Sequence, residues 1–380
     1  MRSALVNGRI LTSDGLVTGR ALLLDGARIE ALAMPEDPRC QTAAAIDLQG
    51  QLLVPGFVDI QVNGGGGVLF NDAPDVASIQ AIGAAHRRFG TTGFLPTIIS
   101  DDLDTIGRAV AAVQAALDAR LPGVLGIHVE GPFLNRSRRG VHDARHLRPL
   151  DATLLPLLHS LRGGRTLLTL APEMTTPDVI RQLVEREVIV AAGHSNASYV
   201  EVTAAIAAGL RGFTHLFNAM SPLTPREPGV VGAALYDPDT WCGIIVDGHH
   251  VDPITLKIAL RCKRHDRFLL VSDAMPAVGS PHANFVLQGR TIHVVDGACR
   301  DEHGTLAGTA LDMASAVRNA ISMLELDLTE AVRMASEYPA QFLGLGHELG
   351  RIAPGYRANL ALLDSALTVR RTWIDGVSSD

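Results

Sequence analysis

Between residues 57 and 272 the chain alternates eight short apolar runs with amphipathic stretches of helical period, and few architectures accept such a repeat. The runs are Phe57–Val62, Gly93–Ile98, Val124–Glu130, Thr166–Leu170, Val188–Ala192, Gly212–Phe217, Gly243–Val246 and Phe268–Ser272. They are apolar throughout rather than alternating, the pattern of parallel strands covered by helices. Helical segments are expected over Ala77–Phe89, Leu103–Ala119, Thr176–Glu187, Tyr199–Ala208 and Pro253–Arg264. Eight strands with intervening helices favour a closed α/β design, a (β/α)8 TIM-like barrel, over an open sheet. Residues 54–349 are assigned to it. The stretch 284–308 breaks the rhythm with strand and turn signals, and is expected to form a hairpin excursion after strand eight.

The two ends have another texture. Ala4-Leu5-Val6 runs into Asn7-Gly8 and Ala21–Leu24 into Asp25-Gly26, both hairpin signals. The tail repeats this with Ala358–Asp364 and Val369–Gly376. Residues 1–53 and 350–380 are therefore expected to build one small β-sandwich domain from both termini, because chain ends often lie close together. Two separate β appendages are the alternative.

Composition narrows the partners. A formal charge of −7 argues against a general nucleic-acid or membrane-surface binder. No apolar run reaches membrane-spanning length, and the N-terminus turns polar before a signal-peptide core could form. Cys40, Cys242, Cys262 and Cys299 are scattered without paired spacing, which suits reduced thiols in the cytoplasm.

Chemistry gathers at the strand ends. Strand three closes on His128-Val129-Glu130-Gly131, strand five on Gly193-His194-Ser195, strand six on Thr214-His215-Leu216, and strand eight on Ser272-Asp273-Ala274. The gaps from Glu130 to His194, His215 and Asp273 in turn are 64, 21 and 58 residues. Against roughly 31 residues per βα unit, they correspond to two units, one short unit and two units. All four residues then fall at one mouth of the barrel, where such enzymes place their catalytic groups. One carboxylate and two imidazoles form the ligand set of a catalytic zinc that keeps a position open for water. Iron or another divalent ion is also compatible. His128 shares a strand face with Glu130 and is expected in the barrel interior, whereas His86, His159, His265, His282 and His347 read as surface residues. The run Gly64–Gly67 lacks the Gly-Lys-Ser/Thr ending of a phosphate loop and reads as a mobile rim loop.

The ordered set of Pro55-Gly56-Phe57-Val58-Asp59, His128-Val129-Glu130-Gly131-Pro132, Gly193-His194-Ser195-Asn196-Ala197, Thr214–Met220 and Val271-Ser272-Asp273-Ala274 resembles the amidohydrolase superfamily. More narrowly it is similar to the branch that deacetylates N-acetyl amino sugar phosphates. The likeness runs nearly end to end, through Arg226-Glu227-Pro228-Gly229, Cys242–His250 and Gly304–Gly308. Most superfamily members read Asp-x-His-x-His on strand one, with two imidazoles for a second metal. This chain reads Asp59-Ile60-Gln61-Val62-Asn63. Amides replace imidazoles poorly around a transition metal, so one divalent metal per subunit is expected, held by Glu130, His194 and His215.

The resemblance further implies that Asp273 moves the proton and His142 polarises the carbonyl. It implies substrate contacts from Val141, His142, Asn218, Ala219, Arg226, Asp247, His250, Leu306, Ala307 and Gly308, with Arg226 and His250 holding the phosphate. The implied reaction converts N-acetyl-D-glucosamine 6-phosphate to glucosamine 6-phosphate and acetate, and the implied assembly is a homodimer. The galacto epimer, or another N-acyl amino sugar phosphate, is the alternative substrate. A catalytically silent assembly module is the reading from another class.

Overall fold

The computed structural model describes residues 2–282 and 284–379. Its centre is a ring of eight parallel strands: β1 (Phe57–Val62), β2 (Thr91–Ile99), β3 (Gly126–Glu130), β4 (Arg165–Leu170), β5 (Ile189–Ala192), β6 (Gly212–Phe213), β7 (Trp241–Ile244) and β8 (Phe268–Leu270). Neighbours pair in sequence order. A parallel bridge between Val62 and Ala274 closes the ring, reinforced by the Asn63 N–H donating to the Ala274 carbonyl at 2.9 Å. Every residue of β1, β2 and β3 is buried, because one face fills the barrel and the other lies under helices.

Helices cover the ring, among them α1 (Val76–Arg87), α2 (Leu103–Asp118), α3 (Pro177–Glu185), α4 (Tyr199–Ala207), α5 (Gly229–Tyr236), α6 (Pro253–Cys262) and α7 (Met313–Leu324). Their starts obey local chemistry. Asp75, Asp102, Thr176, Ser198, Asp252 and Asp312 each accept a backbone N–H of the first turn, satisfying donors the helix leaves free. No helix among the described residues is long and apolar enough to cross a membrane.

The termini interleave. A six-stranded sheet orders Val377–Ser378, Val369–Ile374, Leu360–Leu363, Leu52–Pro55, Arg9–Thr12 and Gly15–Val17, so strands from the two ends of the chain lie side by side. A four-stranded sheet of Arg28–Ala33, Ala21–Asp25, Arg2–Val6 and Ala44–Asp47 accompanies it. Leu5, Ile10, Leu22, Leu53, Leu360 and Trp373 form a core shared by the two sheets.

Four expectations need correction. Strand six ends at Phe213 rather than Phe217: His215, Phe217 and Ala219 take positive φ values, so an apolar stretch that reads as strand turns instead. Gly64–Gly67 is not a loose rim, because Gly64–Gly65 pairs antiparallel with Val68–Leu69 and a Cβ on Gly64 would sit 2.4 Å from the Val68 oxygen. His86 is fully buried rather than on the surface, with Nε2 bonded to the Gly64 carbonyl at 2.9 Å. The helical period shows that α1 has an inner face but not that a histidine sits on it. The excursion is larger than one hairpin, a four-stranded sheet of Asn284–Leu287, Arg290–Val295, Ala298–Arg300 and Leu306–Thr309.

Trp373 is 1% exposed in the terminal core. Trp373→Ala should cost about 3–5 kcal/mol, seen as a lower urea midpoint with the metal-binding residues unaltered.

Candidate metal centre

The strand ends turn sharply where the polar residues stand. His194, His215 and Asp273 have φ values of 50°, 35° and 50°, a left-handed region that non-glycine residues enter at a cost of order 1–3 kcal/mol each. The turns swing the side chains off the strand direction and over the mouth of the ring. Backbone ties hold them there: His194 O accepts from the Asn135 N–H at 2.9 Å, Leu216 N–H donates to Gly243 O at 2.8 Å, and Asp273 O accepts from Thr309 N–H at 3.0 Å.

Glu130, His194 and His215 converge as the barrel count requires. Both imidazole Nε2 atoms lie 3.1 Å from the same Glu130 Oε1 and 3.0 Å from each other. One ligand atom from each residue falls within 4.8 Å of the others, and all three side chains are buried. The Nδ1–H of His194 donates to the Arg138 carbonyl at 2.8 Å, which leaves Nε2 as the free lone pair facing inward. This donor set can hold a divalent metal, and a hydrogen-bonded far nitrogen is how metal-ligating histidines are normally oriented. Burial opposes charge on Glu130, but the His194 and His215 imidazoles set against its Oε1 outweigh it and hold the carboxyl well below its ordinary range.

Asp273 lies beside the cluster. Burial, aided by the Glu130 charge, pushes its pKa up to about 6. Gln61 Nε2 bridges Glu130 Oε2 at 3.1 Å and Asp273 Oδ1 at 3.2 Å, and Asn63 Nδ2 donates to Asp273 Oδ1 at 2.6 Å. His142 stands edge-on to His194, with ring centroids 4.4 Å apart. Its Nδ1 accepts from the Ser100 N–H at 3.3 Å and meets Ser100 Oγ at 2.7 Å. A backbone N–H can only donate, so the ring proton belongs on Nε2. Burial lowers the His142 pKa to about 3, so the ring is neutral.

These groups border a cavity of about 190 Å³ whose lining also includes Val141, Asn218, Ala219, His250, Leu306 and Gly308. Three other expected residues do not border it. Ala307 is fully buried between Leu306 and Gly308, in an apolar cluster with Leu287, Ile292 and Cys299, as strand alternation expects. Asp247 stands behind His250, with Oδ2 at 2.6 Å from its Nδ1. Arg226 is exposed on the loop before α5 and does not border the cavity. His128 fills the barrel interior between Thr97 Oγ1 at 3.2 Å and Thr169 Oγ1 at 2.8 Å.

Sequence reasoning passed over two supports. Asp59 accepts from the Gln61 N–H at 3.2 Å and from the Ser272 hydroxyl, locking strand one to the turn of Asp273. Glu173 accepts from Asn135 Nδ2 at 2.9 Å, Ser195 Oγ at 2.7 Å and Asn196 N–H at 2.6 Å. It thus pins the loop after Glu130 to the turn after His194. Its position just past strand four in Ala171-Pro172-Glu173 was the available signal.

Residues 52–378 match the Amidohydrolase family. The chain is 47% identical over 333 residues to N-acetylgalactosamine-6-phosphate deacetylase of Shewanella sp. (strain ANA-3), covering 85% of this chain and 82% of that protein. It is 36% identical over 379 residues to N-acetylglucosamine-6-phosphate deacetylase of Haemophilus influenzae, covering 99% of each. The crystal structure of N-acetylglucosamine-6-phosphate deacetylase from Pasteurella multocida superposes with a TM-score of 0.96, at 38% identity and full coverage of both chains.

Glu173→Ala should weaken metal affinity about 10–100-fold, measured by chelator competition, with Glu173→Gln intermediate. An unchanged affinity in both variants would remove Glu173 from the support of the centre.

Proposed function

The chain belongs to the amidohydrolase family, and from that premise we propose that it hydrolyses the acetamide of N-acetyl-D-glucosamine 6-phosphate to glucosamine 6-phosphate and acetate. The observation that carries this reading is the convergence of Glu130, His194 and His215 beside Asp273 in one cavity. The Haemophilus influenzae and Pasteurella multocida proteins supply the substrate. A second reading has its own support: the Shewanella relative, at 47% identity, is named for the galacto epimer. Specificity constants for the two epimers, measured side by side, separate the readings.

The three ligands are one carboxylate and two imidazoles, which favours zinc, with iron as the alternative. Gln61 and Asn63 support a reading of one ion per subunit, because their amide N–H groups already bond Glu130 Oε2 and Asp273 Oδ1. A divalent cation at this triad supplies a Lewis acid that brings the pKa of water toward neutrality. Asp273 takes the proton of the attacking water and delivers it to the departing amine nitrogen, which leaves only when protonated. The Nε2–H of neutral His142 donates to the carbonyl oxygen as negative charge gathers there. His250, held by Asp247, binds the phosphate together with the turn of Asn218 and Ala219.

Arg226 joins this set only if it reaches a neighbouring subunit. Its loop carries Leu223, 60% exposed, which lines one groove with Tyr199, Pro228, Leu235 and Tyr236, the last 79% exposed. Contiguous apolar exposure of this kind marks association sites, and a homodimer would cover it. The reduced cysteines suit the cytoplasm.

Asp273→Asn should keep its metal and lose at least about 100-fold in kcat. The wild-type kcat/KM should fall as pH drops through about 6, since Asp273 must be ionised to accept a proton. A metal-loaded Asp273→Asn enzyme with undiminished turnover would reject the role. Tyr236→Arg should yield monomers by analytical ultracentrifugation. If Arg226 acts across the interface, these monomers should show a raised KM for the phosphorylated sugar, as Arg226→Ala should in the dimer.

A further inference from the structure

We infer that the loop of residues 136–148 is an electrostatic funnel that draws the anionic sugar phosphate to the barrel mouth, an inference that rests on the amino sugar phosphate reading above. The loop carries Arg136, Arg138, Arg139, Arg145 and Arg148 against a single acid, Asp143, in a chain whose formal charge is −7. Only Arg145 is paired with that acid, at 2.5 Å. The others have neutral partners: Arg136 donates to Ala144 O at 3.2 Å, Arg138 to Asn196 Oδ1 at 3.0 Å, Arg139 to His142 O at 3.1 Å and Arg148 to His146 O at 3.3 Å. Four guanidinium charges thus stay uncompensated within the loop.

The loop is bolted to the site. Its Gly140, Val141 and His142 border the cavity, and its Arg138 carbonyl fixes the His194 ring at 2.8 Å. A phosphate monoester carries about −1.5 to −2 charges at neutral pH. The protein's net field repels it, and a cationic rim reverses that field where the substrate must pass. Clefts lined by one sign of charge raise association rates by about 10–1000-fold, an effect that fades with ionic strength.

The test uses Arg136→Glu/Arg145→Glu and Arg136→Gln/Arg145→Gln in the metal-loaded enzyme, both positions being exposed. Arg162→Glu, before strand four at the opposite end of the barrel, is the control. At an ionic strength of about 0.01 M, where the Debye length is about 30 Å, the double reversal should lower kcat/KM for the phosphorylated sugar about tenfold. The neutral pair should lose about half of that on a logarithmic scale. Near 1 M salt, with a Debye length of about 3 Å, the variants should converge on wild type, and kcat should hold throughout. Unphosphorylated N-acetylglucosamine should show no such dependence. A loss that persists at high salt, affects both sugars equally or appears in Arg162→Glu would overturn the funnel, as would no loss at low salt. A wild type inactive on both epimeric sugar phosphates would instead sink the substrate reading itself.

Discussion

Two imidazoles pointing at one carboxylate oxygen is the contact on which everything else in this molecule rests. Nε2 of His194 and Nε2 of His215 come within 3.0 Å of each other, an approach that two neutral lone pairs resist and a shared positive charge permits. In water-poor surroundings such an arrangement is expensive unless each group is paired. The chain pairs what it can: Glu130 takes both imidazoles and the Gln61 amide, and His194 gives its outer N–H to Arg138. His215 Nδ1 is left without a partner. The cluster is therefore built around positive charge at its centre.

Holding three donors in that geometry explains the strain around them. The left-handed turns at His194, His215 and Asp273 are affordable because the barrel beneath is continuous and fully packed. Hydrogen bonds over-determine each turn. Asp59 shows how deep the support runs. It lies wholly inside, where burial raises its pKa to about 7, and it meets Ser272 immediately before Asp273. A change there would reach the reaction through backbone placement rather than through contact with substrate.

Much of this was legible in the sequence because it follows from periodicity. Apolar runs at barrel spacing gave the strands to within a few residues, and counting units placed Glu130, His194, His215 and Asp273 at one mouth. Side-chain direction was legible only where alternation applies. Ala307 turns away from the cavity while Leu306 and Gly308 border it, a consequence of period two that needs the strand Leu306–Thr309 to be known first. Burial of lone polar residues was not legible. His86 sits on an amphipathic helix whose pattern tolerates a histidine on either face, and only the tight glycine hairpin at Gly64–Gly65 reveals its partner. Glu173 was hidden for a related reason: its value lies in joining two loops that are distant in sequence.

The amides on strand one connect these themes. Glu130 and Asp273 are acids close enough for the charge of one to raise the pKa of the other. In a buried site that repulsion must be relieved, either by a cation between them or by neutral donors. Gln61 reaches both carboxylates and Asn63 reaches Asp273, so N–H dipoles add, without a full charge, to the relief that His215 and His250 give Asp273. The two solutions differ in consequence. A second cation, held against Asp273 by imidazoles on strand one, would drive its pKa further down and make it a poorer base. Amide donors lower it only modestly, leaving the carboxyl where it can accept a proton and later return it. Amides in place of imidazoles on strand one are thus more than the loss of ligands: they hold Asp273 with neutral donors while burial, aided by the charge of Glu130, keeps its proton affinity high.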